Sequence, residues 1–594
     1  MATLVQMGSP LIYSNALVKT TRRPKYFTCT SVAKITRGDE SPMVPRRSAN
    51  YQPSVWDHSH LLSAKNKYVN DKSVKARDLL KEKVRKMLDD EKNTYLDKLE
   101  LIDDLEKLGV SYHFERQIAN ILAVSYHKDR RIVRECDIEK DLHATALEFR
   151  LFRQHGFNVS EDVFDVFMED CGNFESEDIN GLISLYEASY LSTKSDTKLQ
   201  KIIRDFATRQ LRDFVDTHDG TNSDFESCDV KEMVIQALDM PYYWRMRRLA
   251  TRWYIDVYGK RHNKNRDLVE FAKIDFNIVQ AIYQEELKNV SSWWKETCLG
   301  NQLYFARDRI VENYFWTIGQ IQEPQFGNVG RIMTKVNALL TTIDDIYDIY
   351  GTLEELQLFT VAFENWDVNR LDDLPEYMRL CFLVVYNEVN IIGCDILRSK
   401  NINVIPYLRK SWADVCKAYL TEAKWYKTGH KPNLKEYMQN AWISISAPTI
   451  FVHFYCVFSD QLSIQVLETL TQHQQNVVRS SASVFRLAND LVTSPLARGD
   501  VPKSIECYMN ETGASEEEAR SYVRQMINDS WDEMNYEMIA HTSSLLHHDF
   551  VETVMNLARM SQCMYQYGDG HGSPEKAKIV ERVMSLLFNP VSLD

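Results

Sequence analysis

Three aspartates stand within one helical turn of this chain, at positions Asp344, Asp345 and Asp348. Residues three or four apart share a helix face, so Asp348 can reach the same point as either of its neighbours. Crowded carboxylates in an apolar setting are poorly solvated, and they either take up protons or bind cations. No His or Cys lies among them, and such hard oxygen ligands suit magnesium, which often completes its coordination shell with water and phosphate oxygens. We therefore expect these three residues to bind a divalent metal.

The residues around the aspartates predict a buried helix, because apolar side chains recur there at helical spacing. These side chains are Val336, Leu339, Leu340, Ile343, Ile346 and Ile349. The aspartate spacing alone is a weak signal, since the chain has 84 acidic residues. A second group of ligands is needed as well, because one turn of helix covers only one side of a metal cluster.

A later helical stretch can supply that second group. Asn489 and Thr493 lie four residues apart on one predicted helix face and offer an amide oxygen and a hydroxyl. Arg486 lies one turn earlier and can hold a phosphate. Upstream, Arg307 and Arg309 add two guanidinium groups, which bind phosphate oxygens bidentately. Each piece alone also fits an ordinary helix face or ion pair, but their combination favours a site for a metal-bound phosphate compound.

Charge and hydropathy exclude two kinds of partner. The net charge of −13 argues against a nucleic acid, which needs a basic face. No apolar run reaches membrane-spanning length, because the best candidate, Ala447–Phe458, is short and contains Pro448 and His453. We expect neither a nucleic acid nor a membrane as partner.

The N-terminus and the cysteines indicate an organelle with a reducing interior. Residues 1–38 contain no Asp or Glu, and their basic residues are interspersed with many Ser and Thr. This composition predicts an organellar transit peptide over residues 1–45, with a disordered basic tail as the alternative. The 11 cysteines are scattered and form no C-x-x-C pair, which favours buried thiols over disulfides or zinc. The folded protein is expected to begin near Arg46.

The rest of the chain reads as helix. Its 594 residues are too many for one core, so two domains are expected. Apolar stripes of helical period run from about Trp56 onward, and alternating strand patterns are scarce. The polar stretch 260–267 is the best linker. We therefore predict an all-α protein with two helical domains in series, over residues 46–259 and 268–594.

Several motifs together resemble the plant class I terpene synthases of the monoterpene subgroup, over nearly the whole chain from Arg46. The aspartate-rich motif at 344–348 matches, as does Arg46-Arg47 followed by eight residues and Trp56. Further matches are Leu142–Leu147, Arg307–Arg309 and Tyr567–Gly572. The pattern looks closest to members that form cineole, myrcene and ocimene. The resemblance implies a class I bundle in the C-terminal domain, a relict helical N-terminal domain, a plastid location, and a monomer or weak homodimer.

The resemblance also implies the reaction. The expected substrate is geranyl diphosphate, held by three magnesium ions, with manganese as a possible substitute. Asp344, Asp345 and Asp348 would bind metal from one side, and Asn489 and Thr493 from the other. Phosphate-binding guanidinium groups would come from Arg307, Arg309 and Arg486.

The remaining site residues follow from the same resemblance. Aromatic walls stabilise carbocations, and the candidates are Trp316, Tyr347 and Tyr565. Arg46 and Arg47 are linked in the family with isomerisation to a linalyl intermediate, and the alternative is a surface latch that binds the N-terminal segment to the second domain.

Termination of the reaction should depend on three residues. Tyr565 and His571 match positions suspected of taking the final proton. Asn337, seven residues before Asp344, matches an Asn thought to place a quenching water in cineole-forming relatives. Cineole is therefore our product prediction, with limonene, myrcene and ocimene still open.

One departure from the family pattern matters. The second metal motif should end with Glu four residues after Thr493, but position 497 is Ala497. Metal bound there only by neutral donors should be held more weakly. The missing Glu therefore leaves open a catalytically weakened or silent relative. A sesquiterpene synthase is a separate alternative, although such enzymes normally lack both the basic leader and the Arg46-Arg47 pair.

Overall fold

The structure is a computed structural model, and it describes residues 46–593 except 48, 58–67, 69, 128–140, 169–173, 175, 177, 218–224, 494–500, 541–545 and 575–577. The predicted leader over residues 1–45 and the departure at Ala497 lie outside these described residues. Within them, helices form all the regular structure apart from one isolated bridge between Met168 and Phe174. The all-α prediction is confirmed.

The first half of the described chain holds eight α-helices. Their bounds are α1 Asp71–Leu88, α2 Tyr95–Lys107, α3 Glu115–His127, α4 Leu142–Gln154, α5 Ile179–Ser189, α6 Arg204–Thr217, α7 Phe225–Asp239 and α8 Arg247–Lys260. Local chemistry sets some of these starts. At α2, the Thr94 hydroxyl accepts the N–H of Asp97, whose carboxylate accepts the N–H of Thr94 in return. This reciprocal pair satisfies two N–H groups that have no partner within the helix.

The second half holds fifteen more helices. They are α9 Arg266–Thr297, α10 Leu299–Gln302, α11 Ile310–Gln320, α12 Gly327–Asp345, α13 Leu353–Asn365, α14 Glu376–Lys400, α15 Ile405–Thr428, α16 Leu434–Ser444, α17 Ala447–Phe458, α18 Ile464–Thr471, α19 Asn476–Asp490, α20 Ser504–Thr512, α21 Glu516–Ala540, α22 His548–Tyr565 and α23 Ile579–Leu587. Short 3₁₀ and π turns join or extend several of them.

The predicted linker is a short turn between two packed helices. Residues 261–265 connect α8 to α9, and the Asn265 side chain caps α9 by accepting the N–H groups of Asp267 and Leu268. Helix α9 packs against α1 and α8 on one side and against α11 and α12 on the other. Residues from Arg46 onward cluster as one compact unit. The domain boundary at 260–267 therefore stays a prediction.

Several helices of the second half surround the chamber described below. Helix α11 packs on α12 and α22, and α19 packs on α22 and α21. The walls of this bundle are buried and largely apolar, so polar side chains that point inward from them are conspicuous.

The C-terminal tail is fixed to α9 by side-chain amides. Asn277 donates to the carbonyl of Val591 at 2.9 Å and accepts its N–H at 2.8 Å. The amide of Gln280 donates to the carbonyls of Leu586 and Asn589 at 3.0 and 3.1 Å. These bonds hold the tail in one place as far as Val591.

Helix lengths correct one expectation about membranes. Two stretches are long and apolar enough to span a bilayer by length and hydropathy alone: Glu376–Lys400 and Leu434–Phe458. The first is α14, and the second is α16 and α17 together, which the sequence interpretation missed because it considered only Ala447–Phe458. In the second stretch, 72% of the apolar window is buried inside the protein, as in a core helix.

Candidate active site

A chamber opens in the C-terminal bundle, with charged side chains at its mouth and aromatic ones along its wall. Asp344 and Asp348 line one side, and Arg486 and Asn489 line the other. They come from α12 with its following turn and from α19. The structure therefore brings together the two stretches that the sequence interpretation had paired.

Asp345 does not line this chamber. Its side chain is fully buried, and its Oδ2 accepts hydrogen bonds from the backbone N–H of Arg307 at 2.7 Å and from the Arg307 Nε at 3.1 Å. Burial raises the pKa of the Asp345 carboxyl, and the Arg307 guanidinium opposes that rise. Asp345 is therefore placed to hold Arg307 and not to contact a ligand in the chamber.

Arg307 reaches from Asp345 to the chamber itself. Its Nη2 lies 2.5 Å from Asp344 Oδ2, and its side chain is among those that line the cavity. Burial lowers the pKa of Arg307, but Asp345, Tyr51 and Asp344 together raise it well above its ordinary value. Arg307 therefore remains a cation at the mouth of the chamber.

The aspartate motif sits at a change in helix type. Helix α12 ends at Asp345 and continues as a π-helical turn over Ile346–Tyr350. Such wide turns often occur at functional sites. The guanidinium of Arg47 donates to the backbone carbonyl of Asp348, within this turn.

The opposite wall is held by a second buried acid. Asp490 pairs with Arg486 at 3.0 Å and accepts the hydroxyl of Tyr437 at 2.8 Å, while the Arg486 Nη2 donates to the side-chain oxygen of Asn489. Burial lowers the pKa of Arg486, but Tyr437 and Asp490 raise it well above its ordinary value. Arg486 and Asn489 thus face the chamber in fixed positions.

Thr493, which the sequence predicts as a metal ligand, and Lys503, which it does not single out, lie next to each other on this side of the chamber. The hydroxyl of Thr493 donates to the backbone carbonyl of Asn489 at 2.9 Å, so it lies one turn beyond the chamber wall. The Nζ of Lys503 lies 3.1 Å from that hydroxyl and lines the chamber. The sequence interpretation missed Lys503, because no spacing links it to either motif.

Arg309 points away from the chamber. Its guanidinium donates to the carbonyls of Gln52 at 3.0 Å, His571 at 3.2 Å and Gly572 at 3.3 Å, and its side chain is almost fully buried. It therefore ties the N-terminal segment to the 569–572 loop, whereas the sequence interpretation had expected it to hold phosphate.

The apolar wall contains three aromatic rings in mutual contact. The ring of Trp316 lies 4.8 Å from that of Phe485 and 6.1 Å from that of Tyr565. Tyr347, by contrast, does not line the chamber, since its ring packs against Phe359 and its hydroxyl bonds to Thr360 at 2.8 Å. Trp316, Phe485 and Tyr565 therefore form the aromatic wall of the chamber, whereas Tyr347 belongs to the core.

A polar strip crosses this wall. Asn337, Thr341 and His571 all line the chamber, and the Thr341 hydroxyl lies 3.2 Å from His571 Nε2. Burial, with the nearby charge of Arg307, lowers the pKa of His571 to about 3. His571 is therefore a neutral imidazole near pH 7 and a weak base, which can take a proton only from a strong acid.

The N-terminal segment lies across the mouth of the chamber. Arg46 pairs with Glu355 at 2.5 Å and donates to the backbone carbonyl of Tyr350 at 2.9 Å. Arg47 stacks on the ring of Tyr426 at 4.0 Å. Both arginines therefore contact the elements that carry the aspartate motif.

The donor set of the chamber fits a hard divalent cation. Asp344, Asp348 and Asn489 supply only oxygen ligands, and Arg307, Arg486 and Lys503 lie where anionic oxygens would complete the coordination. No group of three His, Cys, Asp or Glu side chains in the described part of the chain could hold a metal alone. A cation here would share its shell with water and a phosphate compound.

In the part of the chain that the structure describes, a helical bundle holds a chamber in which carboxylates face cationic side chains, as expected of a metal-dependent enzyme that acts on a phosphate compound. The comparisons with known proteins place the chain within that class. Residues 55–238 match the terpene synthase N-terminal domain, and residues 295–533 match the metal binding domain of the terpene synthase family. The chain belongs to the terpene synthase family.

Curated relatives narrow the family to a group. The chain is 79% identical to tricyclene synthase, chloroplastic, of Arabidopsis thaliana, with all of both chains covered. It is 65% identical to 1,8-cineole synthase 1, chloroplastic, of the same plant, over 100% of this chain and 99% of the relative. The chain is thus a lyase of the monoterpene synthase group, and its expected plastid location is confirmed.

Solved structures agree with this assignment. The crystal structure of limonene synthase with 2-fluorolinalyl diphosphate superposes with a TM-score of 0.87 at 42% identity, covering 92% of this chain and all of the other. Isoprene synthase from Populus x canescens, in complex with three Mg²⁺ ions and dimethylallyl-S-thiolodiphosphate, superposes with a TM-score of 0.81 at 38% identity, covering 91% and 99%. Use of a divalent metal is thereby confirmed.

Proposed function

We propose that this chain ionises geranyl diphosphate and releases diphosphate and monoterpenes. The observation that carries the proposal is the chamber itself, where Asp344 and Asp348 face Arg486 and Asn489 above an aromatic wall. Asp344, Asp348 and Asn489 would hold magnesium, which when bound would neutralise the leaving diphosphate and so lower the barrier to breaking the allylic C–O bond.

The chain's own residues supply the rest of the stabilisation. Arg307, Arg486 and Lys503 line the chamber mouth and place three positive charges where the diphosphate develops negative charge. Arg307 and Arg486 are each held by a buried aspartate, Asp345 and Asp490. Such preorganised charges need little rearrangement as the bond breaks, which is what stabilises a transition state.

The aromatic wall protects the resulting carbocation. Trp316, Phe485 and Tyr565 keep bulk water from the cation, and ring faces attract a desolvated cation by up to about 2 kcal/mol. Neutral His571 and the hydroxyl of Tyr565 lie in the same chamber and are the candidates for the terminating proton transfer. The oxygen of Asn337 favours a water-derived product such as cineole.

The proposal includes the number of metal ions, their ligands and the oligomeric state. We expect three magnesium ions, with manganese as a substitute, and a monomer or weak homodimer. Asp344, Asp348, Asn489 and Thr493 are the proposed metal ligands, and Thr493 would have to turn its hydroxyl away from the Asn489 carbonyl to join them.

One experiment tests the function. The chain without residues 1–45 is incubated with geranyl or farnesyl diphosphate and magnesium, and the volatiles are identified by gas chromatography with mass spectrometry. Monoterpenes from geranyl diphosphate at a higher turnover than any product from farnesyl diphosphate support the proposal. Preferential use of farnesyl diphosphate indicates a sesquiterpene synthase. Release of no product from either substrate, by a folded protein, indicates the silent relative that Ala497 left open.

A further inference from the structure

Thr317 joins two helices beneath the polar strip of the chamber. It lies on α11 and is almost fully buried. Its hydroxyl donates to the backbone carbonyl of Asn313 at 3.0 Å. The same oxygen accepts a hydrogen bond from Asn337 Nδ2, on α12, at 3.2 Å, and it lies 2.9 Å from the hydroxyl oxygen of Thr334.

The proton on Thr317 decides which way the Asn337 amide faces. A hydroxyl has one proton to donate, and here the backbone carbonyl of Asn313 takes it. The Thr317 oxygen can then only accept, so the group of Asn337 that faces it must be the NH₂ and not the carbonyl oxygen. The orientation of the amide thus follows from this hydrogen bond, which is how an Asn side chain is properly assigned.

The other end of the amide has no protein partner. Asn337 Oδ1 is buried, and no described residue lies within hydrogen-bond distance of it. Asn337 nevertheless lines the chamber. A buried acceptor without a partner costs roughly 1–3 kcal/mol, so a donor from outside the protein is expected there. Within the chamber, water is the smallest donor that fits.

We propose that Thr317 is a positioning residue that turns the amide oxygen of Asn337 into the chamber, fixing one water molecule, and so determines the share of oxygenated products. This inference rests on the proposed function. The water oxygen forms the new C–O bond to the carbocation with one of its lone pairs. The oxonium that results, a strong acid, loses a proton to His571 or to the released diphosphate, which leaves a neutral alcohol.

The test compares two changes at Thr317 with a matched control. T317V keeps the shape but removes the hydroxyl, and T317S keeps the hydroxyl. T342V removes another buried hydroxyl, on α12, which donates to the backbone carbonyl of Ala338 at 2.9 Å and not to Asn337. Oxygenated and hydrocarbon products are quantified separately, and diphosphate release measures total turnover.

We expect T317V to lower the oxygenated share about five-fold, as the loss of one hydrogen bond would, with total diphosphate release within about two-fold of the parent. T317S and T342V should keep the parental share. An unchanged share in T317V would overturn the proposal, as would a parent enzyme that forms hydrocarbons only.

Crystal structures of the parent and T317V give a readout that needs no turnover. The parent should show an ordered water within hydrogen-bond distance of Asn337 Oδ1, and T317V should lose it. An empty position in the parent, or the same water in T317V, overturns the positioning role even if the enzyme is active. A protein that turns over no prenyl diphosphate yet shows and loses this water contradicts the proposed function and leaves the positioning role supported.

Discussion

Asp345 and Arg307 hold one another beneath the mouth of the chamber through two hydrogen bonds to one carboxylate oxygen, from the backbone N–H at 2.7 Å and from Nε at 3.1 Å. The neighbouring Asp344 meets the far end of the same guanidinium. Two adjacent aspartates thus have different tasks, because successive residues on a helix point about 100° apart. One faces the chamber and the other sets the position of the arginine.

Substitution should separate these tasks. D344N and D348N should each raise the magnesium concentration for half-maximal turnover at least about ten-fold, because a charged ligand is lost. D345N should change that concentration little but should lower the stability by roughly 2 kcal/mol, the contribution of a hydrogen bond to a charged group. Turnover against magnesium concentration and chemical denaturation measure the two effects. A D345N protein of parental stability with the larger magnesium shift would make Asp345 a ligand instead.

The Arg46–Glu355 pair allows the two hypotheses for Arg46 to be separated. A latch needs both partners, so E355Q should change turnover and product distribution as much as R46A does, and the double variant should be no worse than either. A direct role of Arg46 in isomerisation predicts that R46A loses cyclic products while E355Q keeps them. Product analysis decides between the two. E364Q, which removes a carboxylate from the exposed pair with Lys417, serves as the control.

Restoring the missing Glu of the second metal motif should strengthen magnesium binding. Lys503 lies 3.1 Å from the Thr493 hydroxyl, which places a positive charge beside a proposed neutral ligand. Inserting Thr-Glu after Pro495 restores the family spacing and adds a carboxylate, so the magnesium concentration for half-maximal turnover should fall several-fold. Inserting Thr-Gln gives the same length without the charge and should leave the concentration unchanged. Equal effects of both insertions would show that length, not charge, was missing.

Asp532 should make stability fall as pH rises. Burial raises its pKa to about 6, although the Ser192 hydroxyl donates to it at 2.6 Å. The folded state therefore prefers the protonated carboxyl, and stability is lost as pH rises from about 4 to about 6. D532N cannot ionise, so its stability relative to the parent should grow over that range by roughly 3 kcal/mol and stay constant above it. Denaturant titrations from pH 3.5 to 7.5 measure the difference. E517Q, at the exposed start of the same helix, should show no such trend.

Helical periodicity explains why much of the site could be predicted from sequence. Asp344 with Asp348 and Arg486 with Asn489 each share a helix face, and the structure places all four in one chamber. Arg307 and Arg309 show the limit of this reasoning. They precede α11 in an irregular segment without a period, so nothing in the tripeptide indicates that one lines the chamber and the other binds backbone carbonyls.

Residues in or behind the chamber wall that are positioned by the packing of distant helices could not be found in this way. Lys503, Phe485 and Thr317 owe their positions to the packing of α11, α19 and α20, and their local sequence has no chemical signature. The prediction that Tyr347 lines the chamber differs from the structure for the opposite reason. It sits within the aspartate motif, but the π-helical turn rotates its ring toward Phe359 and the core.

The two hydrogen bonds between the Asn277 amide and Val591, here called the clasp, determine where a fusion partner can be attached. The clasp holds the chain through Val591, whereas Leu593 is 48% exposed and points outward. A fusion partner, such as an upstream enzyme that makes the substrate, should therefore be attached by a flexible spacer that starts after Leu593. Deleting the C-terminal residues up to and including Val591 would remove the hydrogen bonds to Asn277. The packing of α23 against α9 would then be weakened, and the helical bundle would be less stable.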